Sequence, residues 1–352
     1  MDSKLDVAVV GATGAVGLEM IKTLERRNFP VRKLTLLASG RSAGRKLKFR
    51  GEELAVQELT RKSLDGIEIA LFSAGSGISR EYAPIAARGG CIVIDNSSAF
   101  RMDEQVPLVI PEINAGDVKL HQGIIANPNC TTAITLMALY PLHQAFHVQR
   151  IFAASYQAVS GTGAKAIEEL RRQVDQLANG RAATKEVYPH QIAFNVLPHV
   201  DSFLTGGYTK EEMKMQNEGR KSRHHPNFRA SVTCVRVPVY RAHSVAVNAE
   251  FQKPVTVERA REVLQGAPGL QVIDDPANNR YPLPLDTAEQ YDCAVGRIRK
   301  DCAFDNGLAF WVSGDQLLKG AALNAVQIAE ELLREKAQPN KKAPARPELS
   351  AA

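Results

Sequence analysis

No two of the five cysteines stand in a CxxC spacing, and their number is odd. Cys91, Cys130, Cys234, Cys293 and Cys302 therefore argue against a disulfide framework and a zinc site, and no metal is expected. No run of eighteen apolar residues occurs, so no membrane span is expected. The first residues, Met1-Asp-Ser-Lys-Leu-Asp6, lead straight into a strand and read as neither secretion signal nor transit peptide. Free thiols without a leader suit a reducing cytoplasm. Aromatics are 6% of the chain, and no basic stripe interleaves with them, so nucleic acid is not an expected partner. Half of the +6 formal charge lies in the tail, where Lys336, Lys341, Lys342 and Arg346 face only Glu348. Small anionic substrates remain compatible with the rest. There is no internal repeat.

What is present is an ordinary globular composition, 44% hydrophobic and 23% charged, over 352 residues, a length that suits two domains. Val7–Val10, Leu34–Leu37, Ile67–Phe72 and Cys91–Ile94 read as short buried strands. Helical patterns separate them, through Leu18, Ile21 and Leu24 and through Tyr82–Ala87. Such alternation predicts right-handed crossovers and a mostly parallel sheet. After Cys130 the strand candidates lengthen and alternate, as in Ala230–Pro238 and Ser244–Phe251, which predicts a mixed or antiparallel second sheet. Gln316–Leu333 is an amphipathic helix, and the Pro- and Lys-rich segment after it reads as disordered. The fold class is α/β, with a Rossmann-type domain and a second mixed α/β catalytic domain.

Gly11-Ala-Thr-Gly14-Ala-Val-Gly17 joins the first strand to the first helix. Glycines let backbone approach a pyrophosphate, and the helix N-terminus offers free N–H groups and a positive dipole end. A ligand-free tight turn is the plainer alternative. NAD sites usually end the second strand with an acid. Here that strand runs into Ala38-Ser-Gly-Arg41-Ser42, which favours the 2′-phosphate of NADP over a merely solvated basic loop.

Asn127-Pro-Asn129-Cys130-Thr-Thr132 places a thiol after one apolar strand and at the head of a long helix. A helix N-terminus commonly lowers a thiol pKa, which predicts a reactive thiolate there. The other four cysteines read as small buried hydrophobes. His243 reads as a loop residue able to serve as base. Arg236 lies seven residues upstream, too far for contact along an extended chain, and lines the same cavity only if the chain turns at Pro238. Ser155–Lys165 is a second strand–glycine–helix junction, suited to a nicotinamide or an anion, or else a plain loop.

Seven ordered blocks resemble aspartate-semialdehyde dehydrogenase, from Val7 to about Leu333. They are GATGAVG from Gly11, DNSSAFR from Asp95, NPNCTT from Asn127, SYQAVSGTG from Ser155, YTKEEMK from Tyr208, CVRVPVYRAHS from Cys234 and KGAALNAVQIAE from Lys319. The resemblance implies NADPH-dependent reduction of L-aspartyl 4-phosphate to aspartate 4-semialdehyde and phosphate. That reaction serves biosynthesis of lysine and diaminopimelate, threonine, methionine and isoleucine. It implies Cys130 as the nucleophile forming an acyl-thioester, His243 as acid/base, Gln157 as substrate-orienting residue and Asn129 beside the thiol. It implies Arg236 on the substrate carboxylate, Glu212 near the amino group, and Arg101 and Lys214 on phosphate. Thr13, Gly14, Ala15, Val16, Arg41, Ser42, Ser160 and Gly161 would contact NADP.

Where the family pattern reads Asp-Asn-Leu, this chain has Asp315-Gln316-Leu317, which makes Gln316 the expected cofactor contact there. The basic run Arg220-Lys-Ser-Arg-His-His-Pro226 departs from the pattern and reads as a solvated loop. The resemblance implies a homodimer formed through the second sheet. The expected domains are 1–126, completed by the helix 319–335, and 127–318, with the tail at 336–352. Two alternatives stand beside this reading. One is a related acyl-phosphate reductase of the N-acetyl-gamma-glutamyl-phosphate type. The other is a non-catalytic NADP-binding paralogue, which should lack the thiol.

Overall fold

A computed structural model describes residues 4–337. The expected tail therefore lies outside the described residues, apart from the two that end the last helix. The first half holds β1 (Leu5–Val10), α1 (Ala15–Arg26), β2 (Val31–Ala38), a small hairpin of β3 (Lys46–Phe49) and β4 (Glu52–Ala55), β5 (Gln57–Glu58), β6 (Ile69–Phe72), α2 (Ser76–Arg88), β7 (Ile92–Asp95), α3 (Pro111–Asn114) and β8 (Ile124–Ala126). Its main sheet runs β5-β2-β1-β6-β7-β8 with every neighbouring pair parallel. Strands buried on both faces need continuous apolar runs rather than alternation. The fully buried run Val7–Val10 meets that need, with Val7 and Val9 in one core layer and Ala8 and Val10 in another.

The second half holds α4 (Cys130–Phe146), β9 (Val148–Gln157), α5 (Ala164–Ala178), α6 (Lys210–Ser222), β10 (Arg229–Arg236), β11 (His243–Phe251), α7 (Val257–Gln265), β12 (Leu270–Val272), α8 (Pro284–Thr287), β13 (Cys293–Lys300) and β14 (Gly307–Gly314). Its sheet, β10-β9-β11-β14-β13-β12, is mixed: the β10–β9 and β12–β13 pairs are parallel and the three between are antiparallel. Helix α4 packs apolar side chains on one face. The other face leaves Phe152 and Tyr156 exposed, beside Phe304 and Trp311. That one-sided burial explains the alternation seen in the sequence.

The chain then returns. After a π turn, Leu318–Ala322, helix α9 (Leu323–Ala337) buries Ala325, Val326, Ala329 and Leu332 against the first sheet. The amphipathic segment was expected as one helix from Gln316. Its first turn is instead wider, a form common where a helix meets a functional site. No helix among the described residues is long and apolar enough to cross a membrane.

Candidate active site

The C-terminal ends of the first sheet, the head of α4, the junction after β9, helix α6 and the return segment meet around one cavity of about 420 Å³. Its walls include Val16, Asn96, Arg101, Asn129, Cys130, Gln157, Ser160, Gly161, Glu211, Lys214, Arg236 and Gln316. Residues from positions 16 to 316 thus share one space.

Cys130 is the first residue of α4, as expected. Its thiol is not activated in the way the helix terminus suggested. The Oδ1 of Asn129, the N-cap residue, accepts from Thr131 N at 3.0 Å and Thr132 N at 3.1 Å, so the side chain of Asn129 already occupies those free N–H groups. Burial, then the nearby Glu211 carboxylate, push the thiol up to about 11, against the pull of Arg101 and Arg236. In this state Cys130 is a neutral thiol. The thiols of Cys91, Cys234 and Cys293, buried among apolar groups, stand at about 12, and Cys302 is exposed.

His243 is the first residue of β11 rather than a loop residue. The chain does turn after Arg236. A Cβ placed on Gly161 would lie 3.0 Å from Arg236 Nη1 and 3.2 Å from His243 Nε2, so both groups crowd the same spot. The backbone N–H of Ala158 donates to His243 Nδ1 at 3.0 Å. With Nδ1 an acceptor, the neutral ring carries its proton on Nε2. That nitrogen is buried and has no partner. Burial, then Arg236, hold the imidazole well below its usual pKa, so it is neutral. The resting site therefore presents His243 as a hydrogen donor rather than as a base.

Arg236 donates through Nη1 to Ala158 O at 2.7 Å, and its buried Nε has no partner. It makes no salt bridge among the described residues, unlike the other two cavity cations. Arg101 donates to Asn127 O at 2.9 Å and Asn96 O at 2.7 Å, and pairs with Glu218 at 3.1 Å. Lys214 pairs with Glu211 at 2.8 Å and Asp201 at 3.0 Å. Burial alone would lower the Lys214 pKa, but the two carboxylates outweigh it and hold the ammonium charged.

Glu212 does not enter the cavity. Its Oε2 accepts from Thr209 N at 2.7 Å in a capping box, and its Oε1 accepts from Cys234 N at 3.0 Å. Both oxygens are committed to structure. The cavity carboxylate is Glu211, which accepts from Asn129 Nδ2 at 3.0 Å and Gln157 Nε2 at 3.2 Å and pairs with Lys214. Thr209-x-x-Glu212 is itself the signal that reassigns Glu212, and Glu211 then stands one turn before Lys214. Glu218, also missed, accepts from Asn129 N at 2.6 Å while holding Arg101. No motif marked it, because its partners come from distant segments.

The basic run is a fastener, not a solvated loop. Lys221 donates to the carbonyls of Arg101, Asp103 and Val106 at 2.5–2.8 Å, which pins the loop that carries Arg101. Arg223 stacks on Phe228 with 3.9 Å to the ring centre, and His224 meets Asp117 at 2.9 Å.

The glycine loop lies at the other side of the cavity. A Cβ on Gly17 would come within 2.2 Å of Gly11 O, and Gly11 itself has φ +87° with Ser73 O 2.5 Å from where a Cβ would go. No side chain caps α1, whose first turn holds Ala15 and Val16. Thr13 donates to Ser42 Oγ at 3.3 Å, joining the loop to the turn Gly40–Ser42 after β2, where Arg41 is exposed. Gln316 is buried, accepting from Ala242 N at 2.8 Å and donating to Ser160 Oγ.

Comparison with known proteins agrees with this arrangement. The family model "Semialdehyde dehydrogenase, NAD binding domain" matches residues 6–121. "Semialdehyde dehydrogenase, dimerisation domain" matches residues 139–319. Aspartate-semialdehyde dehydrogenase from Aquifex aeolicus is 53% identical over 333 residues, 94% of this chain and 98% of that one. The Bacillus subtilis enzyme of the same name is 50% identical over 340 residues, 94% and 98% of the two chains. The crystal structure of aspartate semialdehyde dehydrogenase II complexed with ASA from Vibrio cholerae superposes with a TM-score of 0.93 at 42% identity. The match covers 95% of this chain and 99% of that one.

The chain belongs to the aspartate-semialdehyde dehydrogenase family. The cofactor of that family fits the residues present. An uncapped helix N-terminus behind a loop that admits no Cβ at Gly11 or Gly17 is a cradle for a pyrophosphate. The Arg41/Ser42 turn offers a cation and a hydroxyl to a 2′-phosphate. One detail qualifies the sequence argument for NADP. Glu58, from the neighbouring β5, brings a carboxylate to 2.8 Å from a Cβ placed on Gly40, so this corner is not free of acid after all.

Proposed function

We propose that this chain catalyses NADPH-dependent reduction of L-aspartyl 4-phosphate to aspartate 4-semialdehyde and phosphate, through an acyl-thioester on Cys130. The observation that carries the reading is a single cavity shared by the Cys130 thiol, three cations and the head of the cofactor helix. Arg236, the cation without a carboxylate partner, takes the substrate carboxylate. Glu211 takes the amino group. Arg101 and Lys214 hold the phosphate, and Gln157 orients the acyl group.

Cys130 sulfur attacks the acyl carbon. A C–S bond forms, the C–O bond to phosphate breaks, and the thiol proton leaves with the phosphate as hydrogen phosphate. NADPH, when bound, supplies the hydride. Thr13, Gly14, Ala15, Val16, Arg41, Ser42, Ser160, Gly161 and Gln316 are proposed to hold it. His243 offers its Nε2–H to the oxygen that becomes negative on the tetrahedral carbon. When the C–S bond breaks, the aldehyde C=O reforms and the sulfur takes up one proton, which a thiol pKa of about 11 makes complete at neutral pH. Splitting the reduction this way replaces one hard step with two easier ones. A homodimer through the exposed face around Phe152 and Tyr156 and a cytoplasmic setting belong to the same reading.

The test follows NADP reduction spectrophotometrically with aspartate 4-semialdehyde and phosphate, with NAD in parallel. Phosphate-dependent turnover with NADP supports the proposal. No turnover with NADPH still bound would refute it in favour of a different acyl phosphate or a non-catalytic role.

A further inference from the structure

We propose that Arg241 is a positioning residue that seats the cofactor helix, the thiol and the imidazole relative to one another. The inference rests on the reading above, in which Cys130 and His243 do the chemistry. No residue of the cavity wall is Arg241. Its contacts instead run to three separate parts of the site.

The first part is the cofactor helix. Arg241 Nη1 donates to Glu19 Oε1 at 3.2 Å, and Glu19 stands one turn beyond the head of α1. The second part is the thiol. Arg241 Nε donates to Asp315 Oδ2 at 2.6 Å, and the Asp315 side chain is fully buried. The other carboxylate oxygen of Asp315 accepts from Leu317 N at 2.8 Å and Leu318 N at 3.3 Å, while its carbonyl accepts from Gly320 N at 3.2 Å. This fixes the π turn whose Gly320 lies against the nucleophile. A Cβ on Gly320 would sit 2.6 Å from Cys130 Cβ.

The third part is the imidazole. Ala242, between Arg241 and His243, has φ +70°, a left-handed conformation that a non-glycine residue keeps only when its surroundings impose it. Two anchors impose it here: the Arg241 side chain on one side and the Ala242 N–H on Gln316 on the other. Gln316 in turn bonds Ser160 beside the cavity. A third carboxylate, Glu289, lies 3.4 Å from Arg241 Nη1, and its own N–H donates to Asp315 Oδ2 at 2.6 Å.

A buried salt bridge could serve stability alone. What sets this one apart is that Glu19 belongs to the cofactor helix and Asp315 to the turn against Cys130, while Arg241 itself stands two residues before His243. Release of Arg241 would let α1, the π turn and the Ala242 hinge relax independently. Misplacement of reacting groups by about 1 Å costs on the order of 100-fold in rate.

The experiment uses the full-length Arg241→Lys and Glu19→Gln variants, singly and combined. Lysine keeps the charge but cannot hold two carboxylates in a fork. Glu19→Gln removes the charge from the link to α1, and from the Lys22 pair within that helix, and leaves Arg241 on Asp315. We expect kcat to fall about 10-fold for Arg241→Lys and several-fold for Glu19→Gln. The KM for NADPH should change by a smaller factor than kcat, and the variants should remain folded at the assay temperature. The double variant should be no slower than Arg241→Lys, because both changes break one connection. Alkylation of Cys130 by iodoacetamide, without substrate, should change about threefold or more in Arg241→Lys. Native kcat in both variants, effects that multiply, or a raised NADPH KM at unchanged kcat would each overturn the proposal. Should the native protein fail to turn over aspartate semialdehyde, the functional reading falls, and the alkylation series still decides. Unchanged alkylation then rejects the positioning role, and a changed rate keeps the linkage to the thiol.

Discussion

The two sides of the cavity are built from different materials. The cofactor side is mostly backbone: a glycine loop closed on itself at Gly11 and Gly17 and an uncapped helix end. The chemical side is side chains paired before any substrate arrives: Arg101 with Glu218, Lys214 with Glu211, His243 with the Ala158 amide and Asn129 with its own helix. Backbone recognition needs only that side chains be absent, so it is tolerant in sequence and intolerant in volume. Side-chain recognition needs charges held against burial, so Arg101 and Lys214 are matched by carboxylates until substrate competes for them, while Arg236 rests on a carbonyl alone.

Replacing the proposed nucleophile should break the chemical side alone. Cys130→Ala is expected to lower turnover by about 10⁴-fold or more while NADPH binding persists, checked by assay and by fluorescence titration. Loss of NADPH binding as well would mean that the two sides are not separable.

A second test reads the thiol itself. In the substrate-free protein, the Cys130 alkylation rate should climb about tenfold per pH unit from neutrality and level off only near pH 11. A plateau near pH 8 would mean that the helix end does activate the thiol. Stability carries the same sign. Thiols raised above their ordinary value of 9.0 favour the fold below that pH and cease to as pH rises further. His143, lowered to about 4 by burial and then Arg223, acts oppositely. Its contribution is present above the ordinary imidazole value of 6.5 and is lost as pH falls toward 4, measurable by urea denaturation across that range.

Gly17→Ala attacks the cofactor side. The added methyl meets Gly11 O, and about 2–3 kcal/mol of overpacking should appear as weaker NADPH binding or a lower melting temperature. Native-like binding would show that the loop yields more than its geometry suggests.

Glu211→Gln sharpens the contrast. It should raise the KM for the aspartyl substrate about 10-fold, since a charged hydrogen bond is lost. It should also lower the thiol pKa, because Glu211 is one of the groups raising it. Glu212→Gln should spare the KM and cost stability instead, and the reverse pattern would restore Glu212 to the site. The smallest effect is expected at exposed Arg41, where Arg41→Ala should reduce the preference for NADP over NAD by about 10-fold or less. No change would pass the discrimination to Ser42, Thr13 or Glu58.

Much of the architecture was legible because periodicity reports burial directly. Continuous apolar strands announced a covered parallel sheet, and alternating ones a sheet open on one face. The glycine loop and the thiol at a helix head were equally visible, since both depend on neighbours in sequence. The differences from the sequence reading have two causes. For the basic run and the thiol, a deciding partner lies far along the chain: the Arg101 loop for Lys221 and Glu211 for Cys130, beside the adjacent Asn129 cap. For Glu212 the signal was local, the capping box with Thr209, and the contact with Cys234 N completes it.

The sequence by itself determined which segments become strands and helices, where the glycine loop lies and which thiol stands at a helix head. Those follow from local stereochemistry and from the period of apolar residues. The tertiary structure alone decided which charges are neutralised, which tautomer His243 holds and how high the thiol pKa stands. Such properties depend on distances of a few ångströms between groups up to some 220 residues apart, as with Glu19 and Arg241, and on how much water the fold excludes around them.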